Sequence, residues 1–162
     1  MDQVVDENDV EPSMALEKLL HYRVQRLASK MTLITSREVL AGSGVHIGEW
    51  RLICLLKELG QANHTAVSQK LALDPGRTSK LLKAAERKEL VRRTSDPTDG
   101  RASIFELTER GFEVFDRLWP LAKNVANDFH NQFGIQELEL LNSMLDRAIR
   151  YANERAKSDR SE

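Results

Sequence analysis

The chain has 162 residues and a formal net charge of −1, which suits one compact domain or one core with helical extensions. Its single cysteine, Cys54, excludes an internal disulfide, and no apolar segment is long enough for a signal sequence or a membrane span. We therefore expect a soluble, cytoplasmic protein with no membrane partner.

The chain begins with an acidic segment. Residues 1–12 carry five acidic side chains and no basic one, which predicts a disordered acidic tail. Without this tail, 24 basic residues face 20 acidic ones, and the segment 61–101 alone holds nine basic against five acidic residues. This local excess of positive charge permits a polyanionic partner, although many soluble domains have a similar surface.

Two helices are predicted next. A long helix begins at Ser13 and fades near Ala41, because apolar residues recur there at steps of three and four. Its apolar stripe consists of Leu16, Leu20, Val24, Leu27, Met31 and Ile34. The second helix covers 49–59, is closed by Gly60 and buries Trp50, Ile53 and Cys54.

Two further helices follow at close spacing. Asn63 is a good N-cap for a short third helix, and Asp74 followed by Pro75 opens a fourth helix that extends to about Lys88. The turn between them is only three residues, Leu71 to Leu73, which is the spacing of a helix-turn-helix. The side chains expected to face the core are Val67, Leu71, Leu81, Leu82 and Ala85.

The hydrophobic period then changes to that of a hairpin. Residues 90–94 and 104–107 alternate like strands, and the turn cluster 95–100 lies between them. A fifth, long helix begins at Thr108, and Pro120 within it is expected to kink the helix or to remove one backbone bond. A sixth helix follows Gly134, and the chain is expected to fray from about Arg155.

These elements predict a mainly α fold with a small β-hairpin wing, a winged helix-turn-helix flanked by long helices. The predicted parts are an acidic tail (1–12), an N-terminal dimerisation helix (13–44), the winged helix-turn-helix (45–110), C-terminal dimerisation helices (111–157) and a frayed tail (158–162). The outer helices are too apolar for this small core to cover, so we expect them to bury one another in a two-fold homodimer.

In a helix-turn-helix, the N-terminal turn of the second helix faces the base edges of the DNA major groove. Arg77 is suited to a bidentate bond with guanine, and Gly76 permits close approach. The predicted contacts are Pro75, Gly76, Arg77, Thr78, Ser79, Lys80 and Lys83 on the fourth helix, with Asn63, His64, Thr65 and Ser68 on the third. The alternative is an ordinary solvated helix face, on which His64 is a surface histidine.

The turn "DPTDGR", residues 96–101, allows three interpretations: catalytic carboxylates, a cation cradle, or a loop that presents Arg101. An EF-hand is excluded because its later ligands are missing. Between two strands, the turn is best explained as a wing tip, with Arg101 in the minor groove and Asp99 holding its guanidinium. Arg92 and Arg93 on the preceding strand add charge for phosphates.

The run "GEWRLICLLKELG" and the later "AVSQKLALDPGRTSKLLKAAERKELVRRTSDPTDGRASIFELTERG" resemble the MarR family of bacterial winged helix-turn-helix regulators. The resemblance covers about residues 47–111, and its most specific part is the wing turn followed by Leu-Thr-x-x-Gly at 107–111. Thr98 and Gly100 depart from the family's usual wing and reduce its charge. The flanking helices match only by pattern.

The resemblance implies a homodimeric regulator on a pseudo-palindromic site in double-stranded DNA, associated with the nucleoid of a bacterium or archaeon. Most such regulators are repressors. It also implies a small effector, often a phenol or aromatic carboxylate, bound between the dimerisation helices and the winged domain.

Five residues are candidates for the effector site, because they offer an aromatic wall and partners for an anion. They are His21, Arg23, Arg26, Trp50 and Arg51. The competing interpretation is that Trp50 belongs to the core and that the basic residues are ordinary surface charges. Cys54 lies one turn from Trp50 on an apolar helix, which favours a buried, inert thiol.

No pattern supports an enzyme, a metal site or a cofactor. The segment "GSGVHIG", residues 42–48, follows a helix instead of a strand and has the wrong spacing for a dinucleotide fingerprint. The four histidines show no metal-ligand spacing. A second function class stays open, a winged-helix interaction or dimerisation module that does not bind DNA, and the basic residues of 61–101 argue against it.

Overall fold

The computed structural model describes residues 15–95 and 103–158, the last two by their backbone alone. The helices are α1 (Leu20–Glu38), α2 (Ile47–Leu59), α3 (His64–Lys70), α4 (Pro75–Arg87), α5 (Glu109–His130) and α6 (Ile135–Ser158). The strands are β1 (Gln61–Asn63), β2 (Val91–Ser95) and β3 (Ser103–Leu107). The predicted fold class, mainly α with a β-hairpin wing, is confirmed. The acidic tail and the wing turn lie outside the described residues.

Three local differences separate the structure from the sequence pattern. The first predicted helix is split, because Leu19 is extended between a 3-10 turn (Leu16–Lys18) and α1. Helix α2 begins two residues early, because the Glu49 carboxylate accepts a bond from the backbone N–H of His46 at 2.9 Å. Helix α6 extends past Arg155 to Ser158, whereas Pro120 lies inside α5 as predicted.

The sheet contains one strand that the sequence pattern did not predict. Strand order is β1-β3-β2, and both pairings are antiparallel. The wing strands pair from Val91 opposite Leu107 to Ser95 opposite Ser103. The short strand β1 pairs Ala62 with Phe105 and thereby ties the start of α3 to the wing.

One core joins α2, α4, the sheet and the first half of α5. Residues on α2 recur at helical spacing and are fully buried, whereas β3 turns alternate side chains inward. The core side chains are Trp50, Leu52, Ile53, Leu55, Leu56, Val67, Leu82, Ala85, Leu90, Val91, Ile104, Phe105, Leu107, Val114 and Leu118. This core fixes α3 and α4 relative to the wing strands.

The chain divides into two compact units, the first reaching to Pro120 and the second beginning at Leu121. In the first unit, α1 buries no residue, and Leu20 on it is 70% exposed. In the second unit, no described side chain of α6 is buried. Both units therefore expose large apolar side chains: Leu16, Leu20, Val24, Leu27 and Leu33 in the first, and Ile135, Leu140, Met144 and Ile149 in the second.

Candidate nucleic-acid interface

The N-terminus of α4 is built by Asp74 and Pro75, as the sequence predicted. The Asp74 carboxylate accepts the backbone N–H of Arg77 at 2.9 Å, and this bond lowers the pKa of Asp74 below its ordinary value. The same carboxylate also lies 3.1 Å from Nε of Arg77, and both side chains are exposed. The capping residue therefore holds the arginine guanidinium beside the helix N-terminus.

One face of α4 is basic and exposed. Lys80, Lys83 and Arg87 are spaced three and four residues apart and lie on one side of the helix, where they line a shallow depression together with Glu86. Arg87 was not among the predicted contacts, although its spacing from Lys80 and Lys83 was visible in the sequence. Pro75, Gly76 and Arg77 are also exposed and extend this face toward the helix N-terminus.

The prediction that Thr78 contacts DNA is wrong. Thr78 is 0% exposed, and its hydroxyl donates to the backbone carbonyl of Asp74 at 3.0 Å. It lies one turn from Leu82 and two turns from Ala85, which are also buried, so it belongs to the core face of α4. A side chain in this position stabilises the helix and cannot reach a base.

The predicted residues of α3 mostly have partners within the protein. Asn63 accepts the backbone N–H of Ala66 at 2.9 Å as the helix N-cap, and the Ser68 hydroxyl donates to the carbonyl of Leu73 at 2.6 Å. The Nε2 atom of His64 lies 3.0 Å from the Ser79 hydroxyl, in a hydrogen bond that joins α3 to α4. These three residues thus hold the helix-turn-helix together.

A groove of about 450 Å³ runs between α3, α4 and the base of the wing. It brings together six predicted contact residues, Asn63, His64, Thr65, Ser79, Lys83 and Arg93, with Ser103 and Phe105. Nε of Arg93 donates to the Ser103 hydroxyl at 2.7 Å across the two wing strands. Arg92 is paired with Glu106 at 2.8 Å, so part of its charge is neutralised.

The predicted wing tip, residues 96–101, falls outside the part of the chain that the structure describes. It includes Arg101, which is predicted to enter the minor groove, and Asp99, which is predicted to hold the Arg101 guanidinium in place. Both roles stay predictions. Strand β2 precedes this turn in the sequence and β3 follows it, and Ser95 pairs with Ser103 in the antiparallel ladder.

The five candidate effector residues do not form one site. Arg23 and Arg26 line an open depression of about 450 Å³ on α1 with Glu17, Tyr22, Leu27 and Lys30. His21 is exposed outside this lining, and Arg51 donates to the Thr32 hydroxyl at 3.1 Å.

Trp50 is 5% exposed and stacks on Phe115, with ring centroids 5.9 Å apart, so it is a core residue. The sequence pattern did not reveal this aromatic stack, of which Trp50 is the inner member. Phe115 also stacks on Trp119 at 5.4 Å, and the Lys57 ammonium lies 5.1 Å from the Phe115 ring centroid.

Cys54, on the same side of α2 as Trp50, is half-buried, and burial raises its thiol pKa to about 11. That thiol is protonated at neutral pH, as an inert cysteine should be.

Within residues 15–95 and 103–158, no cluster of histidine, cysteine or carboxylate side chains is arranged to hold a metal ion. In the same part of the chain, no helix combines the length and apolarity needed to cross a membrane.

The MarR family model matches residues 45–103, which include α2, β1, α3, α4 and β2. This part of the chain is similar to the MarR family. The HTH-type transcriptional regulator YxaD of Bacillus subtilis (strain 168) is 25% identical over 130 residues, 80% of this chain and 90% of that protein. MarR-family transcriptional regulators are non-enzymatic DNA-binding proteins, so this similarity supports the expectation of a non-enzymatic regulator.

Solved structures of transcriptional regulators share this fold. PcaV from Streptomyces coelicolor, in complex with its natural ligand, matches with a TM-score of 0.75 and 19% identity over 88% of this chain and 99% of that one. A cysteine-to-serine mutant of MarR from E. coli, complexed with operator DNA, matches with a TM-score of 0.69 and 17% identity over 84% of this chain and 99% of that one.

Proposed function

We propose that this protein is a regulator of the MarR family, a homodimeric, cytoplasmic repressor that binds a pseudo-palindromic operator and is released by a small aromatic or phenolic effector. In each protomer, α4 enters the major groove and the wing approaches the adjacent minor groove. The two copies of α4 then contact half-sites about one helical turn apart.

The observation that carries this proposal is the two-faced character of α4. One face is buried through Thr78, Leu82 and Ala85, and the opposite face presents Lys80 and Lys83 to solvent. A helix anchored on one side and basic on the other fits the major groove of B-DNA, which is about 12 Å wide. Arg77 near its N-terminus is the proposed base-reading side chain.

The surrounding residues are proposed as backbone contacts. Thr65 and Arg93 are exposed along the groove between α3 and the wing, where a phosphate would meet a hydroxyl and a positive charge. Asn63, His64, Ser68 and Ser79 are proposed to support this surface through their internal hydrogen bonds. Arg101, held by Asp99, is proposed for the minor groove, and Arg101→Ala is expected to weaken binding sharply in a gel shift.

The proposed homodimer rests on the exposed apolar side chains of the flanking helices. Leu16, Leu20 and Leu27 on the N-terminal side, and Ile135 and Leu140 on α6, are each more than 45% exposed in the single chain. A set of this size is unusual on a monomer, and a second copy is the occupant that a two-fold repressor requires. Light scattering at micromolar concentration should therefore give twice the chain mass.

The proposed effector site is the α1 depression beside Arg23 and Arg26, where two guanidinium groups are available to a carboxylate. PcaV, which shares the fold, was solved with its natural ligand. Aromatic acids should release the operator from the parent protein, and Arg23→Gln should require a higher acid concentration for the same release. Equal release of both proteins would move the site elsewhere.

The test of the function itself is selection followed by a salt titration. The purified protein should enrich one pseudo-palindromic sequence from fragmented genomic DNA. Four basic side chains per protomer are exposed and are proposed to contact phosphates: Lys80, Lys83, Arg87 and Arg93. Because a dimer doubles this number, we expect a slope of about −7 for log K against log salt. Absence of DNA affinity at low salt would favour the interaction-module alternative.

A further inference from the structure

Glu49 is a buried carboxylate at the start of α2, away from the basic face of α4. It is the third residue of α2 and is 3% exposed. Its Oε2 atom accepts the backbone N–H of His46, which is the ordinary bond of a helix N-terminus. A capping carboxylate works equally well at the surface, whereas a buried charge is costly unless another charge compensates it.

The compensating charge comes from the C-terminal end of α4. The Lys88 ammonium lies 2.7 Å from Oε2 of Glu49 and donates to the carbonyl of Gly44 at 2.8 Å. Lys88 is the C-cap of α4, and Gly44 and His46 belong to the connection between α1 and α2. One side chain therefore ties the end of α4 to that connection.

The connection that receives Lys88 is itself ordered. The Ser43 hydroxyl donates to the carbonyl of Leu40 at 2.7 Å and accepts the backbone N–H of Val45 at 3.1 Å. Leu40 and Val45 are both buried. The Lys88 tether is thus anchored in a packed segment, which is a condition for it to hold the helix in place.

On the other side, the turn after Lys88 is anchored to the start of α5. The carbonyl of Leu90 accepts the backbone N–H of Thr108 at 3.2 Å, and the Thr108 hydroxyl donates to the carbonyl of Glu89. These bonds fix the position of the turn that connects α4 to β2. The Glu49–Lys88 pair is the side-chain contact that acts on the end of α4 itself.

We propose that Glu49 is a positioning residue for DNA binding: through Lys88 it holds the C-terminal end of α4 and so sets the orientation in which α4 meets the major groove. This inference rests on the proposed function of α4. Base contacts depend on orientation to within about half an ångström, whereas attraction to phosphates tolerates small shifts. Glu49 therefore acts on the selectivity of binding and touches no DNA.

The test compares Glu49→Gln with Glu89→Gln. Both substitutions remove one negative charge, and glutamine keeps an oxygen that can cap His46. Glu89 lies one residue beyond Lys88 and forms an exposed ion pair with Arg110 at 3.3 Å, so Glu89→Gln is a matched control. Fluorescence anisotropy at one salt concentration measures the affinity for the duplex that the parent protein selects and for an unrelated duplex.

We expect Glu49→Gln to lower the ratio of specific to unspecific affinity by about tenfold, the equivalent of one good base contact, while Glu89→Gln keeps the parent ratio. Loss of stability alone reduces the active fraction for both duplexes and leaves their ratio unchanged. Lys88→Met should lower the ratio to the same extent, and the double variant should lose no more than either single variant. Lys88→Arg should restore most of the ratio.

If Glu49→Gln unfolds, Lys88→Met replaces it, because the Lys88 side chain is 35% exposed and the α2 cap stays intact. The inference is overturned if Glu49→Gln or Lys88→Met has the same ratio of specific to unspecific affinity as the parent and Glu89→Gln. A parent protein that shows no selective binding overturns the proposed function, and this inference falls with it.

Discussion

Gly111 offers the sharpest test of how the wing is held to the rest of the first unit. A Cβ atom at this position would lie 2.2 Å from the carbonyl oxygen of Leu90 and 3.2 Å from Cδ2 of Leu107. A carbon–oxygen contact needs about 3.3 Å, so Gly111→Ala must displace the start of α5 from the α4–β2 turn by about 1 Å. The obstacle is a backbone atom and cannot rotate away.

The cost follows from what that displacement breaks. The bond from Thr108 N–H to the Leu90 carbonyl is already 3.2 Å long, and its loss costs about 0.5–1.5 kcal/mol. Strain from an added methyl group in a packed site costs about 1–3 kcal/mol more. We therefore expect Gly111→Ala to lower the free energy of unfolding by about 1.5–4.5 kcal/mol.

Urea unfolding followed by circular dichroism, at one fixed protein concentration, measures this difference. Gly48→Ala is the matched control, since its Cβ atom would meet only Cδ1 of Leu81 at an ordinary 3.4 Å. That variant should be neutral or more stable by up to about 1 kcal/mol, because alanine favours the helix. A Gly111→Ala protein as stable as the parent would refute the packing described for this turn.

Three further predictions follow from the site. Arg77→Ala should cost about 1–3 kcal/mol of operator binding and relax the sequence preference at one base pair of each half-site, measured by competition with substituted duplexes. Cys54, whose pKa is about 11, should react with iodoacetamide far more slowly at pH 7.5 than a free thiol does, and rapid alkylation of the folded protein would contradict its burial. Asp74 has a lowered pKa, so its ionised carboxylate caps and stabilises α4 at neutral pH, and this contribution should disappear only as pH falls through the lowered pKa. Asp74→Ala should therefore flatten the acid side of the curve of stability against pH. An unchanged acid side would contradict the assignment.

Local signals in the sequence predicted most of the fold. The Asp74-Pro75 pair marked the start of α4 because both residues act on the first helical turn. Alternation around a dense turn cluster marked the wing strands. The three-residue strand β1 was missed because one buried residue, Ala62, leaves no alternating pattern to detect. Its existence depends on pairing with β3, which lies more than 40 residues away in sequence.

The site was predictable in its elements and less so in its individual side chains. The error at Thr78 was avoidable, since its spacing from Leu82 and Ala85 places all three on one helical face. The internal partners of His64 and Ser68 depend on how α3 packs on α4, which the sequence does not reveal. The same holds for Glu49 and Lys88, which are 39 residues apart. Ala72, in the turn between α3 and α4, adopts a φ of 51°, a left-handed conformation that alanine rarely takes.

The central claim is that the exposed face of α4 binds DNA, and a pair of triple variants tests it most directly. The α4 variant loses three positive charges, because glutamine replaces Lys80, Lys83 and Arg87. The α1 variant is the control and loses three exposed positive charges at the same spacing, because glutamine replaces Arg23, Arg26 and Lys30. Because the α4 variant removes six phosphate-facing charges from each dimer, it should bind the operator at least about a hundredfold more weakly. The α1 variant should stay close to the parent. Equal affinities of the two variants in fluorescence anisotropy would contradict the claim.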